Sequence, residues 1–71
     1  AVLYSWSQLS PREREVATLV SSGKSNKQVA ACLAISPKTV EAHRHSAKSK
    51  LKLSSTADLV RLVDNVREHT S

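Results

Sequence analysis

Short and hydrogen-bonding side chains recur along residues 38 to 52 at intervals that place them on one face of a helix. Angles around the helix axis are measured from Val40, at about 100° per residue. Ala47 and Leu51 then lie within about 20° of Val40, whereas the side chains of this face lie at about 100° to 200°. An ammonium donates to guanine, a carboxylate accepts from cytosine, and a methyl group contacts thymine. The chemistry indicated is base reading in a DNA major groove. The face consists of Lys38, Glu41, Ala42, His45, Ser49 and Lys52.

The N-terminal part of such a helix normally reaches base edges, and later or flanking residues contact the backbone. The base-reading residues are therefore predicted to be Lys38, Glu41, Ala42 and His45. Free N–H groups at the start of the preceding helix, together with nearby Lys and Arg side chains, favour phosphate contacts. The predicted phosphate-binding residues are Lys24, Ser25, Asn26, Lys27, Arg44 and Lys48.

Some of these side chains have simpler interpretations. Glu41 is equally suited to be an exposed acid that pairs with Arg44 or Lys48. Lys50 and Lys52 are interpreted as ordinary surface charges. His43 lies about 60° from the buried stripe, so we expect it to pack rather than to read a base.

Enzymatic and metal chemistry is not indicated. His43 and His45 are two residues apart, hence about 200° apart on a helix, and cannot chelate one ion. Cys32 is the single cysteine, which excludes an internal disulfide and favours a small packed side chain. Asp58 is explained as a helix-capping residue without a second acid. We predict no enzyme activity, no cofactor and no metal site.

The positive charge is concentrated in the middle of the chain. The formal net charge is +5. Residues 24–52 contain seven Lys or Arg and one acid, and the rest contains four Arg and five acids. A localised basic stretch is typical of a nucleic-acid binder, although a solvated basic surface would have the same composition.

Helix-start signals recur at three serines, and no segment alternates with period two. Ser10 and Ser25 open Ser-x-x-Glu and Ser-x-x-Gln capping boxes, and Ser36 precedes a proline. Gly23 is suited to end the first helix. We predict an all-α fold, a compact four-helix domain in which residues 25–52 form a helix-turn-helix. The predicted helices begin at Ser10, Ser25, Ser36 and near Ser55, and the fourth ends at about Val66.

The aperiodic start and the polar end suggest domain bounds. Residues 1–8 are interpreted as a linker remnant, 9–67 as the DNA-binding domain and 68–71 as a frayed tail. No apolar run or signal peptide suggests a membrane. A reducing cytoplasm is the expected location.

The chain resembles the LuxR/FixJ (GerE-type) helix-turn-helix family over about residues 9 to 66. The resemblance implies the C-terminal effector domain of a bacterial transcription factor, closer to the response regulators of two-component systems. A regulatory domain, either a receiver or a ligand-binding domain, would precede it. The matching segments are LSPREREV at 9–16, GKSNKQVA at 23–30, LAISPKTVEAHR at 33–44, Lys50-Leu51 and residues 55–63.

The resemblance also assigns roles. It places base contacts at Glu41, Ala42 and His45, and phosphate contacts at Lys38 and Thr39. Such domains bind inverted repeats as dimers through the fourth helix. In this chain the apolar arc of that helix, about 160°, exceeds the width that a core needs, which favours a dimer contact. A core face that the chain itself uses fully, or a contact with the N-terminal domain, would explain the same arc. RNA polymerase is a further candidate partner. Two departures from the family are Ala47, which replaces a larger aliphatic residue, and a stretch made more polar than usual by Ser46, Lys48 and Lys50. In addition, many helix-turn-helix motifs have glycine where this chain has Ala34. The predicted dimer contacts are Leu59, Leu62 and Val66.

Two alternative functions share part of this pattern. Region 4 of a sigma factor shares the Arg-Glu-Arg-Glu-Val opening and the helix pair, but normally ends after the recognition helix. A helical protein-interaction module with a basic surface would not need a polar face of groove size. Binding to DNA that weakens steeply with salt would distinguish DNA binding from the interaction module.

Overall fold

The computed structural model describes the backbone of residues 2–70 and the side chains of residues 3–68. This part of the chain contains helices only, so the predicted all-α class is confirmed. There are five helices rather than the four predicted. They are α1 (Val2–Ser7), α2 (Pro11–Ser21), α3 (Asn26–Leu33), α4 (Pro37–Lys50) and α5 (Thr56–Thr70).

The additional helix, α1, lies in the segment interpreted as a linker remnant. Trp6 is half-buried and packs beside Leu9 on the core that α5 completes. A six-residue helix is marginal by itself, so contacts with the rest of the fold must stabilise α1. Because residues 1–8 show no local apolar periodicity, the sequence did not predict α1. Ala1, also part of the predicted linker, lies outside the described residues.

At the other end, α5 continues to Thr70 instead of ending at about Val66. The predicted frayed tail, 68–71, is thus helical over residues 68–70, and Ser71 lies outside the described residues. Asp58 occupies the third position of α5, where its backbone N–H donates to Ser55 Oγ at 3.2 Å. The expected capped start of this helix is confirmed.

The predicted serine caps are present at the start of α2, α3 and α4. Ser10 Oγ accepts from the Glu13 N–H at 3.2 Å, and Glu13 Oε1 accepts from the Ser10 N–H at 2.8 Å. Ser25 and Gln28 form the same reciprocal pair. Ser36 Oγ accepts from the Thr39 N–H at 3.1 Å. These bonds satisfy backbone donors that have no acceptor within their own helix.

The connection between α3 and α4 is the tight turn of a helix-turn-helix. Ala34 ends α3 in the left-handed region at φ 57° and ψ 43°. A Cβ is unfavourable in this conformation, which explains why glycine is common at such a position. The sequence departure at Ala34 therefore corresponds to local backbone strain.

Two aliphatic clusters hold the helices together, and α4 contributes to both. Val40 packs in a cluster with residues of α2 and α3, whereas Ala47 packs with residues of α2 and α5. Helix α4 is thus anchored near its start and near its end. One cluster consists of Leu9, Ala17, Ala47, Leu51, Leu59 and Val63, and the other of Val16, Val20, Val29, Ala30 and Val40.

Candidate nucleic-acid interface

Helix α4 has one buried stripe and one exposed face, as its sequence predicts. Val40 and Ala47 are fully buried, and Leu51 is 9% exposed. His43 is half-buried, in agreement with a packing role. All four predicted base-reading residues, Lys38, Glu41, Ala42 and His45, are exposed, as are Thr39, Ser49, Lys50 and Lys52.

The start of α3 lies beside this face. Arg44 of α4 donates a hydrogen bond to Asn26 Oδ1 at the first position of α3. Lys24, Ser25 and Lys27 are exposed, and Asn26 is half-buried. The N-terminal N–H groups of a helix and its dipole attract anions, so this end of α3 is chemically suited to a phosphate.

A shallow depression of about 220 Å³ lies where α3 meets α4. It brings together residues predicted for base reading with residues predicted for phosphate binding. Its formally charged groups are the Arg44 guanidinium, the Lys48 ammonium and the Glu41 carboxylate, so it carries a net positive charge. The depression is lined by Asn26, Glu41, Arg44, His45 and Lys48.

The Arg44 guanidinium is engaged within the chain on two sides. Besides its bond to Asn26, it donates to Thr56 Oγ1 at the first position of α5, at 2.7 Å. The side chain is half-buried. Sequence reasoning missed both partners, because residues 18 and 12 positions away leave no periodic signal.

Like Arg44, Glu13 is a polar anchor, meaning a charged side chain whose hydrogen bonds hold α4 against another helix. Sequence reasoning missed this role. It is only 4% exposed, accepts from Lys50 Nζ at 2.8 Å, and accepts from the Ser46 hydroxyl. Burial by itself would raise its pKa, but the bonds from Lys50, Ser46 and the Ser10 N–H outweigh burial and lower the pKa to about 2. The interpretation of Lys50 as an ordinary surface charge is wrong. The available signal was the i, i+4 spacing of Ser46 and Lys50.

The predicted dimer contacts on α5 need correction. Leu59 is 0% exposed and Val66 is 7% exposed, because both side chains pack into the chain's own core. Neither therefore has much surface to offer a partner. Leu62 is half-buried at the edge of the same core and is the one of the three that retains accessible surface.

Cys32 is exposed, so the expectation that it packs as a small apolar residue is wrong. It borders an open groove of about 580 Å³ between α1, α2 and α3, away from the depression at α4. Among the described side chains, residues 3–68, no three His, Cys, Asp or Glu groups are arranged as metal ligands would be. None of the described helices has the length and apolar character needed to cross a bilayer.

Comparison with known proteins places this helical arrangement among transcription regulators. A family described as bacterial regulatory proteins, luxR family, matches residues 7–63. The transcriptional regulatory protein TdiR of Thauera aromatica is 49% identical over 63 residues, which are 89% of this chain and 28% of TdiR. The response regulator protein TmoT of Ectopseudomonas mendocina is 44% identical over 64 residues, 90% of this chain and 29% of TmoT.

Among solved structures, full-length FixJ from B. japonicum superimposes with a TM-score of 0.80 and 39% sequence identity. The match covers 86% of this chain and 30% of FixJ. The chain thus spans less than a third of the length of each of these relatives. The family match over most of the chain and the shared fold show that it belongs to the luxR family of bacterial regulatory proteins, as a helix-turn-helix domain.

Proposed function

We propose that the chain binds double-stranded DNA sequence-specifically, with α4 in the major groove, to regulate transcription. The observation that carries this proposal is the exposed polar face of α4 opposite a fully buried stripe. The N-terminus of α3 lies beside this face, because Asn26 lines the same depression as Glu41 and His45. A groove-entering helix needs such a face for bases, and the adjacent helix start provides a backbone contact that fixes its register.

The proposed division of roles follows position on this surface. The base readers are Lys38, Glu41, Ala42 and His45, all on the exposed face of α4. Glu41 accepts from cytosine in this scheme, and Ala42 contacts a thymine methyl. The phosphate contacts are Lys24, Ser25, Asn26, Lys27, Thr39 and Lys48.

We further propose that two copies bind an inverted repeat, with the dimer contact on α5. The support is the half-buried Leu62, together with the two-fold symmetry that helix-turn-helix dimers share with their operators. The remaining length of the relatives leaves room for a regulatory domain and for a surface that contacts RNA polymerase. A transcription regulator of this kind acts in the cytoplasm, where bacterial DNA is located.

The test is the salt dependence of DNA affinity, measured by fluorescence anisotropy. The wild-type chain should lose affinity linearly in log–log coordinates as salt rises. Lys48→Ala should weaken binding and reduce the slope by about 0.9. Arg12→Ala is the matched control, because Arg12 lies on α2, pairs with Glu15 at 3.4 Å, and loses the same charge.

A control variant that reduces the slope as much as Lys48→Ala would contradict the assigned interface. A wild-type chain without salt-dependent binding would overturn DNA binding altogether. A selection from randomised duplexes should return two half-sites related by two-fold symmetry. A single half-site would exclude the proposed dimer on the inverted repeat.

A further inference from the structure

Arg44 lies where three helices meet. It belongs to the middle of α4, and its two terminal nitrogens donate to the first residue of α3 and the first residue of α5. The acceptors are Asn26 Oδ1 and Thr56 Oγ1. Arg44 also borders the depression that contains Glu41 and His45. The side chain therefore connects the base-reading face of α4 with the start of α3.

The hydrogen-bond chemistry of Arg44 determines the orientation of the Asn26 amide. A guanidinium has donors and no acceptor, so Asn26 must present its oxygen to it. The two amide donors of Asn26 then remain for an acceptor, and a DNA phosphate oxygen is such a group. If the amide were reversed, two donors would face each other and the phosphate would meet an acceptor.

We propose that Arg44 is a positioning residue for DNA binding: it orients the Asn26 amide and fixes the start of α3 relative to α4. This inference rests on the proposed function and revises the predicted role of Arg44 as a phosphate contact. Thr56 completes the arrangement, because its hydroxyl holds the second arm of the guanidinium.

The two roles of Arg44 differ in what a substitution must preserve. A phosphate contact needs a positive charge, which lysine retains. A positioning residue needs the planar fork, since a lysine ammonium cannot hold two acceptors in the same fixed geometry. Thr56 is not among the residues proposed to contact DNA, so its hydroxyl is expected to affect DNA affinity through Arg44. A direct contact of this hydroxyl with a phosphate would instead add its own loss to that of Arg44→Lys when the two substitutions are combined.

The experiment compares Arg44→Lys, Thr56→Val and Thr56→Ser with the wild-type chain. Affinity for a short labelled duplex of arbitrary sequence is measured by fluorescence anisotropy over a range of salt concentrations. Circular dichroism shows which variants fold and a temperature at which these are folded. Thr18→Val is the matched control, because the Thr18 hydroxyl is likewise bonded, to the Arg14 carbonyl at 2.8 Å, but lies exposed on α2.

Arg44→Lys and Thr56→Val should each weaken binding about tenfold, the loss expected for one hydrogen bond to a charged group. The salt slope should remain that of the wild type, because no charge is removed. Combining the two substitutions should weaken binding no further than the stronger single change. Thr56→Ser and Thr18→Val should bind as the wild type does.

Wild-type affinity for both Arg44→Lys and Thr56→Val would overturn the positioning role and leave the proposed DNA binding intact. Failure of the proposed function is distinguishable, since the wild-type chain itself would then show no salt-dependent binding. If Thr56→Val does not fold, the DNA affinity of Arg44→Lys by itself tests the positioning role. Wild-type affinity for that variant would again overturn the inference.

Discussion

Replacement of Glu13 by glutamine removes the charge of the buried acid while keeping its size. The folded chain lowers the pKa of Glu13 from 4.5 to about 2. At 1.36 kcal/mol per pKa unit, this difference corresponds to about 3 kcal/mol of stability at neutral pH. A chain of this length has a free energy of unfolding of roughly 4–10 kcal/mol. Glu13→Gln should therefore lower that free energy by a substantial fraction, up to about 3 kcal/mol.

The pH dependence of this loss follows from the direction of the pKa shift. The folded state holds Glu13 ionised at pH values where the unfolded chain already binds a proton. Its contribution is therefore fully present above pH 4.5 and disappears as the pH falls towards about 2. The difference between wild type and Glu13→Gln should be largest at neutral pH and should shrink across this interval.

Urea unfolding followed by circular dichroism at several pH values measures the difference directly. Glu15→Gln is the matched control, because Glu15 lies on the same helix with a half-exposed side chain and an exposed ion pair. Such a pair contributes about 0–1 kcal/mol, so this variant should stay close to the wild type. A difference between wild type and Glu13→Gln that is equally large at neutral and acidic pH would refute the argument, since an ionised carboxylate would then not be its source.

The other predictions concern the turn and the base-reading face. Ala34→Gly should raise the free energy of unfolding by about 0.5–1 kcal/mol, because glycine relieves the strain of the positive φ at some entropic cost. The control Ala31→Gly, in the right-handed part of α3, should lower the free energy of unfolding by about 1 kcal/mol. Urea unfolding of both variants measures these changes, and a loss of stability in Ala34→Gly would contradict the strain at Ala34. Glu41→Gln and His45→Ala should alter the motif recovered by randomised-site selection, with a loss of about 1–3 kcal/mol at the affected base pair, and an unchanged motif for both would remove them from the proposed base readers.

Sequence reasoning succeeded where structure depends on near neighbours. The caps at Ser10, Ser25 and Ser36 involve partners three residues away, so type and spacing contain the necessary information. The buried stripe of α4 follows from helical geometry in the same way. The position of the turn was predicted at Ala34 and Ile35, although the left-handed conformation of Ala34 was not.

It failed where a residue's environment is supplied by a distant part of the chain. Glu13 was assigned only its local capping role, because its partner Lys50 is 37 positions away. Helix α1 depends on contacts that its own six residues do not specify. Leu59 was assigned to a partner surface because an apolar arc does not reveal which of its members the chain's own core already uses.

The polar anchors explain how α4 keeps a defined orientation with little apolar surface. Only Val40 and Ala47 are buried among the 14 residues of α4. Such a narrow aliphatic stripe tolerates rotation of α4 about its axis, because hydrophobic contacts are not directional. Hydrogen bonds are directional, and Glu13 receives two of them from α4 while Arg44 donates two to the neighbouring helices. The residues that fix the angle of the exposed face of α4 are thus charged groups that lie outside it. Substitutions at Glu13 should consequently disturb the base discrimination proposed for α4 as well as stability, although Glu13 is buried and is not among the residues proposed to meet DNA.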